Sequence, residues 1–336
     1  MRHLILGSGP AGIAAAKAIR KAEKDAEIVI ATEDPDVPYL RPLLPDFIAG
    51  NVALSDLSDL QGEDLALNGI EVRRGMRARK VDADGRKVLF DDGTEKAYDF
   101  LLVATGGKPV LPAALDRNPK GVVPFDSLSD AKRIREAAAR PGPIVVYGSG
   151  YLGIEACRAL SRRGRQVVWI KPDLPRSGYA FSGEFEASVL DQVRSRGVRI
   201  QEGDDIVSIR ETEDGAFGVR NLDERGQEIR CSLIVAATER HPAVDFLKGS
   251  GVKVGTGVVV DDRLRTSAPY IYAAGDCAEL VDGKTGEIRV NFGWRSAIKL
   301  GHLAGENMAG GGKRYIRNRE DYFWLLSGTS LLDRMK

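Results

Sequence analysis

"HLILGSGPAG", residues 3–12, is the stretch on which the fold turns. "HLIL" reads as a short buried strand, and Gly7, Gly9 and Gly12 fit the spacing Gly-x-Gly-x-x-Gly. From Pro10 onward "PAGIAAAKAIRKAEK" reads as an alanine-rich helix with proline in its first turn. "AEIVIATE" (26–33) is then a second strand. Strand, glycine turn, helix, strand is the plan of a dinucleotide-binding unit. The first glycine permits the tight turn, the second lets a pyrophosphate approach the backbone, and the third lets helix and strand pack closely. The helix N-terminus, which Pro10 and Ala11 open, offers amide donors from Ala11 onward and a positive dipole end. Glu33 follows Gly12 by 21 residues, where a carboxylate takes ribose hydroxyls.

The same plan occurs twice. "GPIVVYGSGYLG" (142–153) and "RQVVWIK" (165–171) repeat the order, with Gly148, Gly150 and Gly153 as the glycines; Gly148 follows Gly7 by 141 residues. After each unit comes a stretch with DG turns that reads as an antiparallel ribbon, then a buried strand. These are 75–106, ending "LLVATG", and 203–238, ending "LIVAAT". The expected fold is therefore α/β, with two Rossmann-like dinucleotide-binding domains, each carrying an antiparallel β insert. The first domain is expected over 1–110 and 248–310, discontinuous because "VVVDDRLRTSAPYIYAAGDCAEL" (258–280) belongs to no third repeat. The second takes 111–247. Residues 311–336 remain as a C-terminal remnant or a partner-binding segment.

With 29% charged residues and a net charge of +1, the chain has no polyanion bias, which argues against nucleic acid as a partner. No apolar run approaches membrane-spanning length, and the opening segment reads as strand and turn rather than as a signal peptide; a soluble, cytoplasmic protein is expected. Three cysteines without a CxxC spacing and three scattered histidines make a disulfide framework or a metal site a poor reading.

"GSGPAG", "PYLRPLLPDFIAG" (38–50), "YDFLLVATG" (98–106), "GSGYLGIE" (148–155) and "TSAPYIYAAGDCAE" (266–279), in this order, resemble the FAD-dependent pyridine nucleotide-disulfide oxidoreductases. Within them the chain looks most like the branch of nitrite reductase flavin domains and rubredoxin reductases, and the resemblance runs from residue 1 to about 310. It implies FAD on Gly7, Gly9, Pro10, Ala11 and Gly12, with its ribose on Glu33. Arg41, Pro42 and the Ala104–Thr105–Gly106 loop would border the flavin. Asp276 would accept a hydrogen bond from the ribityl chain or a hydroxyl near the phosphates, with Gly275 allowing close approach; otherwise Asp276 is a turn or N-cap acid. Trp294 opens a helix directed at the flavin, as packing or as an aromatic against which a partner docks. In the second domain the resemblance implies NAD(P) on Gly148, Gly150 and Gly153, with Tyr151 as a movable cover and Glu155 near the nicotinamide amide.

Four departures qualify the resemblance. Residues 34–60 hold no cysteine, and Cys157, Cys231 and Cys277 read as buried structural thiols, so electrons leave the flavin without a redox-active disulfide. Lys171 stands where the second ribose acid is expected. A cation there fits the 2′-phosphate of NADPH, placing NADPH ahead of NADH, with Arg162, Arg163, Arg165 and Arg176 adding charge. The competing reading makes these arginines solvated charges at a helix C-terminus. In "TERHP" (238–242) Glu239 and His241 replace a glycine and an arginine of the family, which could narrow the nicotinamide pocket. The C-terminal interface domain of the family is expected to be truncated or absent, with Tyr315, Tyr322, Phe323 and Trp324 standing among basic residues.

The expected activity is that of an FAD-dependent NAD(P)H oxidoreductase serving a protein electron carrier of rubredoxin or ferredoxin type, or a partner subunit, in a homo- or hetero-oligomer. An FAD-binding electron-transfer subunit or scaffold with a degenerate nicotinamide site is one alternative. A cysteine-independent NAD(P)H oxidase or small-molecule reductase is the other.

Overall fold

Five short apolar runs, rich in Val, Ile and Leu, assemble into one parallel sheet in the order Ile271–Ala273, Phe100–Val103, Arg2–Leu6, Glu27–Ala31, Ile70–Arg73. Their near-continuous hydrophobicity suits strands covered on both faces. In this computed structural model the described residues are 1–57, 61–117, 120–173, 183–222, 228–281, 288–290 and 293–316. The helix Pro10–Ala22 follows the first strand and buries Ala11, Ala15, Ala16 and Ile19, while Arg20 and Lys21 sit in its last turn, where cations complement the dipole. Against it lies the late helix Trp294–Met308, which buries Ala297, Gly301, Ala304 and Gly305. The strand Ile271–Ala273 and this helix return the chain to the sheet on which it began.

A second five-stranded parallel sheet runs Arg199–Glu202, Val167–Lys171, Ile144–Tyr147, Leu233–Ala236, Val122–Pro124. The helix Tyr151–Arg162 follows its glycine turn. Each sheet has its own antiparallel three-stranded ribbon: Ala78–Asp82, Lys87–Phe90 and Glu95–Ala97 for the first, and Ile206–Glu211, Phe217–Asn221 and Ile229–Cys231 for the second. The sequence repeat is thus a structural repeat, down to the insert.

Among the described residues the chain divides into two compact units: 1–39, 61–108 and 241–316 make one, 40–57 and 109–240 the other. The sequence reading kept 1–110 together and returned the chain at 248. Residues 40–57 belong instead with the second unit, for a physical reason. The helix Leu44–Ala49 buries Phe47 and Ile48 and contacts the helices Leu128–Ala137 and Tyr151–Arg162. Arg135 stacks over the Phe47 ring at 4.5 Å, and Arg163 donates to the Ile48 carbonyl at 3.3 Å. At the other end of the chain, Tyr315 packs on the core of the first unit and Arg314 pairs with Asp262 at 3.0 Å. Tyr322, Phe323 and Trp324 lie outside the described residues. Among the described residues no helix is long and apolar enough to cross a membrane.

Candidate functional site

The first glycine turn is held from below and open above. Gly7 has φ of +110°, and a Cβ there would stand 2.3 Å from the Ala104 carbonyl oxygen. One on Gly12 would stand 2.0 Å from the carbonyl oxygen of Gly7, so only glycine lets helix and strand meet. Gly9, by contrast, faces open space. The Gly7 amide donates to the Ala31 carbonyl at 2.8 Å, tying the turn to the second strand. Pro10 and Ala11 begin the helix whose free amides face the turn.

Other expected residues of this site gather around the same turn. Ala104 donates its amide to Leu6 at 2.9 Å, Thr105 donates its hydroxyl to the Ala243 carbonyl at 2.8 Å, and Gly106 has φ of +63°. A Cβ on Gly275 would stand 3.0 Å from that of Ala11, which places the "AAGD" turn against the start of the first helix. Asp276 accepts from the Gly293 amide at 3.3 Å, immediately before the half-buried Trp294 opens its helix. Glu33 is half-exposed at the end of the second strand, with Lys108 at 3.0 Å and Arg77 at 3.5 Å. The sequence reading missed both cations, although Lys108 stands only two residues beyond Gly106. Arg41 and Pro42 do not join this group. They fall in the second unit, where Arg41 donates to the Asp126 carboxylate at 2.8 Å and its carbonyl at 2.9 Å, with Arg240 on the same carboxylate at 3.1 Å.

The second turn repeats the construction. A Cβ on Gly148 would stand 2.1 Å from the Ala237 carbonyl oxygen, the counterpart of the approach between Gly7 and Ala104. Gly150, at φ of +78°, faces open space as Gly9 does. Gly153 packs against Trp169, whose indole donates to the Gly148 carbonyl at 2.7 Å and closes the turn from beneath. Tyr151 is the first helical residue and is 41% exposed.

One turn further, Glu155 is buried and accepts from Arg158 at 2.5 Å. Burial pushes its carboxyl up, Arg158 opposes this, and the nearby charge of Asp46 adds to it. Asp46, also buried, has Arg162 at 3.6 Å and accepts from the Asn51 amide at 3.2 Å. Asp46 is a member of this cluster that no local signal marked. The Glu239 carbonyl accepts from Val110 at 3.0 Å, and His241 is exposed. Arg176 lies outside the described residues.

All three cysteines are free and buried. Burial pushes the Cys231 thiol up to about 12 and that of Cys277 to about 11, and raises Cys157 well above its ordinary value. None has the depressed pKa or exposure of a redox thiolate.

Both turns thus fit a dinucleotide: amides at a helix N-terminus, a glycine opening on free space, and glycines beneath that no other residue could replace. The chain is 30% identical to the epsilon subunit of NADH-dependent phenylglyoxylate dehydrogenase from Aromatoleum evansii, an alignment covering 92% of this chain and 72% of that protein. It is 28% identical to the NADH-rubredoxin oxidoreductase of Clostridium acetobutylicum, over 98% of this chain and 80% of the other. Among solved structures, a ferredoxin reductase from Rhodopseudomonas palustris matches with a TM-score of 0.85 at 25% identity, over 94% of this chain and 78% of that one. Residues 1–305 match the family described as pyridine nucleotide-disulphide oxidoreductase. The chain belongs to that family, whose members are FAD-dependent NAD(P)H oxidoreductases.

Proposed function

We propose that this protein takes electrons from a nicotinamide dinucleotide through FAD and delivers them to a small iron–sulfur or rubredoxin-type protein, or to a partner subunit, without a redox disulfide. The observation that carries this reading is the pairing of two open glycine turns with three buried cysteines of raised pKa. FAD, when bound, supplies the chemistry: it accepts a hydride and releases electrons singly or in pairs. The protein's own part is binding and placement. Gly7, Gly9 and Gly12 with Pro10 and Ala11 would hold the flavin's pyrophosphate, Glu33 its ribose, and Ala104–Gly106, Gly275 and Asp276 the remainder of the cofactor. Trp294 begins the helix whose dipole favours negative charge at its start. Gly148, Gly150 and Gly153 would hold the second dinucleotide, with Tyr151 over the site and Glu155 behind it.

Relatives named for rubredoxin reduction and for a dehydrogenase subunit support a protein acceptor. The open Gly150 turn favours a working nicotinamide site over a degenerate one.

The test is anaerobic mixing of the yellow protein with NADH and, separately, NADPH while the flavin band is followed. Rapid bleaching by either, followed by reoxidation on adding rubredoxin or ferredoxin, is expected. Bleaching followed by faster reoxidation with oxygen than with any carrier would identify an oxidase. No bleaching by either nucleotide would leave an electron-transfer subunit.

A further inference from the structure

We infer that the second nucleotide site takes NADH rather than NADPH, with the Asp173 carboxylate as the acceptor for the adenosine ribose hydroxyls. This rests on the reading of Gly148–Gly153 as the nicotinamide dinucleotide site. The two units can be compared bond by bond. The Gly7 amide donates to Ala31 and the Gly148 amide to Ile170, so Thr32 corresponds to Lys171, Glu33 to Pro172 and Asp34 to Asp173. Lys171 is therefore not the counterpart of Glu33; it is one residue short of it, still within the strand Val167–Lys171. Pro172 is buried and has neither a side-chain acceptor nor an amide donor. Asp173 is the first exposed carboxylate beyond the strand end, as Glu33 is in the first unit.

The charges around Lys171 point the same way. Lys171 is in register with Glu202 on the neighbouring parallel strand, which puts a carboxylate on the same face one strand away. Asp173 leans toward the same edge: its Oδ2 lies 3.2 Å from where Gly203, the residue after Glu202, would carry a Cβ. Among the described residues, a 2′-phosphate would meet the oppositely charged pair of Glu202 with Arg194 and the Asp173 carboxylate beside Lys171. The arginines of the preceding helix end are committed elsewhere. Arg162 pairs with Asp46, Arg163 donates to the Ile48 carbonyl, and Arg165 donates to the Gly142 carbonyl at 2.5 Å. Two hydroxyls donating to a carboxylate suit this edge; a dianionic phosphate does not.

The test reads binding, not turnover. The oxidised, FAD-loaded protein is titrated by calorimetry with NAD+ and with NADP+. NAD+ is expected to bind at least about tenfold more tightly, the scale of one hydrogen bond to a charged group. Asp173→Ala should loosen NAD+ by about tenfold and leave NADP+ unchanged or tighter, while Lys171→Met should preserve the preference for NAD+. Tighter binding of NADP+ by the unaltered protein, an unchanged NAD+ affinity in Asp173→Ala, equal losses for both nucleotides, or no binding of either would each overturn the assignment. The flavin-bleaching experiment separates this from the proposed activity: NAD+ binding with the expected preference but no bleaching by NADH would sink the reductase reading and leave the Asp173 assignment standing.

Discussion

Gly9 and Gly12 are three residues apart, yet a methyl group meets different surroundings at each. At Gly9 it enters open space at φ of −71°, a value any residue adopts, whereas at Gly12 it meets the Gly7 carbonyl oxygen at 2.0 Å. Gly9→Ala should therefore change stability by no more than about 0.5 kcal/mol while lowering the flavin content of the purified protein. Gly12→Ala should cost on the order of 1–3 kcal/mol, because helix and strand must separate. Thermal unfolding with the absorbance ratio of flavin to protein checks both; equal destabilisation would mean that Gly9 is structural. Glu155 offers a pH test. Its carboxyl is raised by burial, so the folded state holds a proton that the unfolded state releases, and stability contributed by this group is lost as pH rises from about 4.5 through the folded value. In Glu155→Gln that loss is absent, so the variant should gain on the unaltered protein between pH 4.5 and 7 in denaturant titrations. A difference independent of pH would mean that Glu155 is ionised throughout. At this scale the two glycine turns and the strand-end position of Glu33 were legible because their spacing is local. Asp46 beside Glu155, Lys108 beside Glu33 and the one-residue offset of Lys171 were not, since each depends on a register or contact between distant segments.

Among the elements, the helix Trp294–Met308 shows how a sequence pattern gains meaning only from its partner. Ala297, Gly301 and Gly305 recur every four residues, which marks one face of a helix but does not say what lies against it. The structure puts Pro10–Ala22 there, so close that a Cβ on Gly301 would stand 2.0 Å from the Ala11 carbonyl oxygen and one on Gly305 2.4 Å from that of Ala15. The Gly293 amide just before this helix donates to Asp276, so the placement of the helix and that of the Gly275–Asp276 turn are linked. Gly301→Val should cost about 3 kcal/mol or more and release flavin at a lower temperature than the unaltered protein. Ile298→Ala, on the exposed side of the helix, should be near neutral. Comparable losses for both in a thermal melt followed by flavin fluorescence would mean that the two helices do not pack through this face.

The whole molecule is one plan used twice, and the repeat was readable because strand, turn, helix and ribbon are each local patterns. The transfer of residues 40–57 to the second unit was not readable, since it rests on Phe47, Ile48 and Asp46 meeting helices far along the chain. The duplication also bears on the route of the electrons. A disulfide relay needs an exposed thiolate, but here the cysteines lie inside the two repeats: Cys157 in the helix after the second turn, Cys231 at the end of the second ribbon, and Cys277 bonded to the Val103 and Ala274 carbonyls at 3.3 and 3.4 Å. With Cys231 raised to about 12 and Cys277 to about 11, neither holds an appreciable thiolate at pH 8, and burial raises Cys157 as well. Iodoacetamide at pH 8 should therefore leave the folded, FAD-loaded protein unlabelled by mass spectrometry and its rate of carrier reduction unchanged, whereas the protein in concentrated urea should take up three adducts. If one cysteine labels in the folded protein and electron delivery falls in proportion, a thiol lies on the path after all, and the disulfide-free route proposed here is wrong.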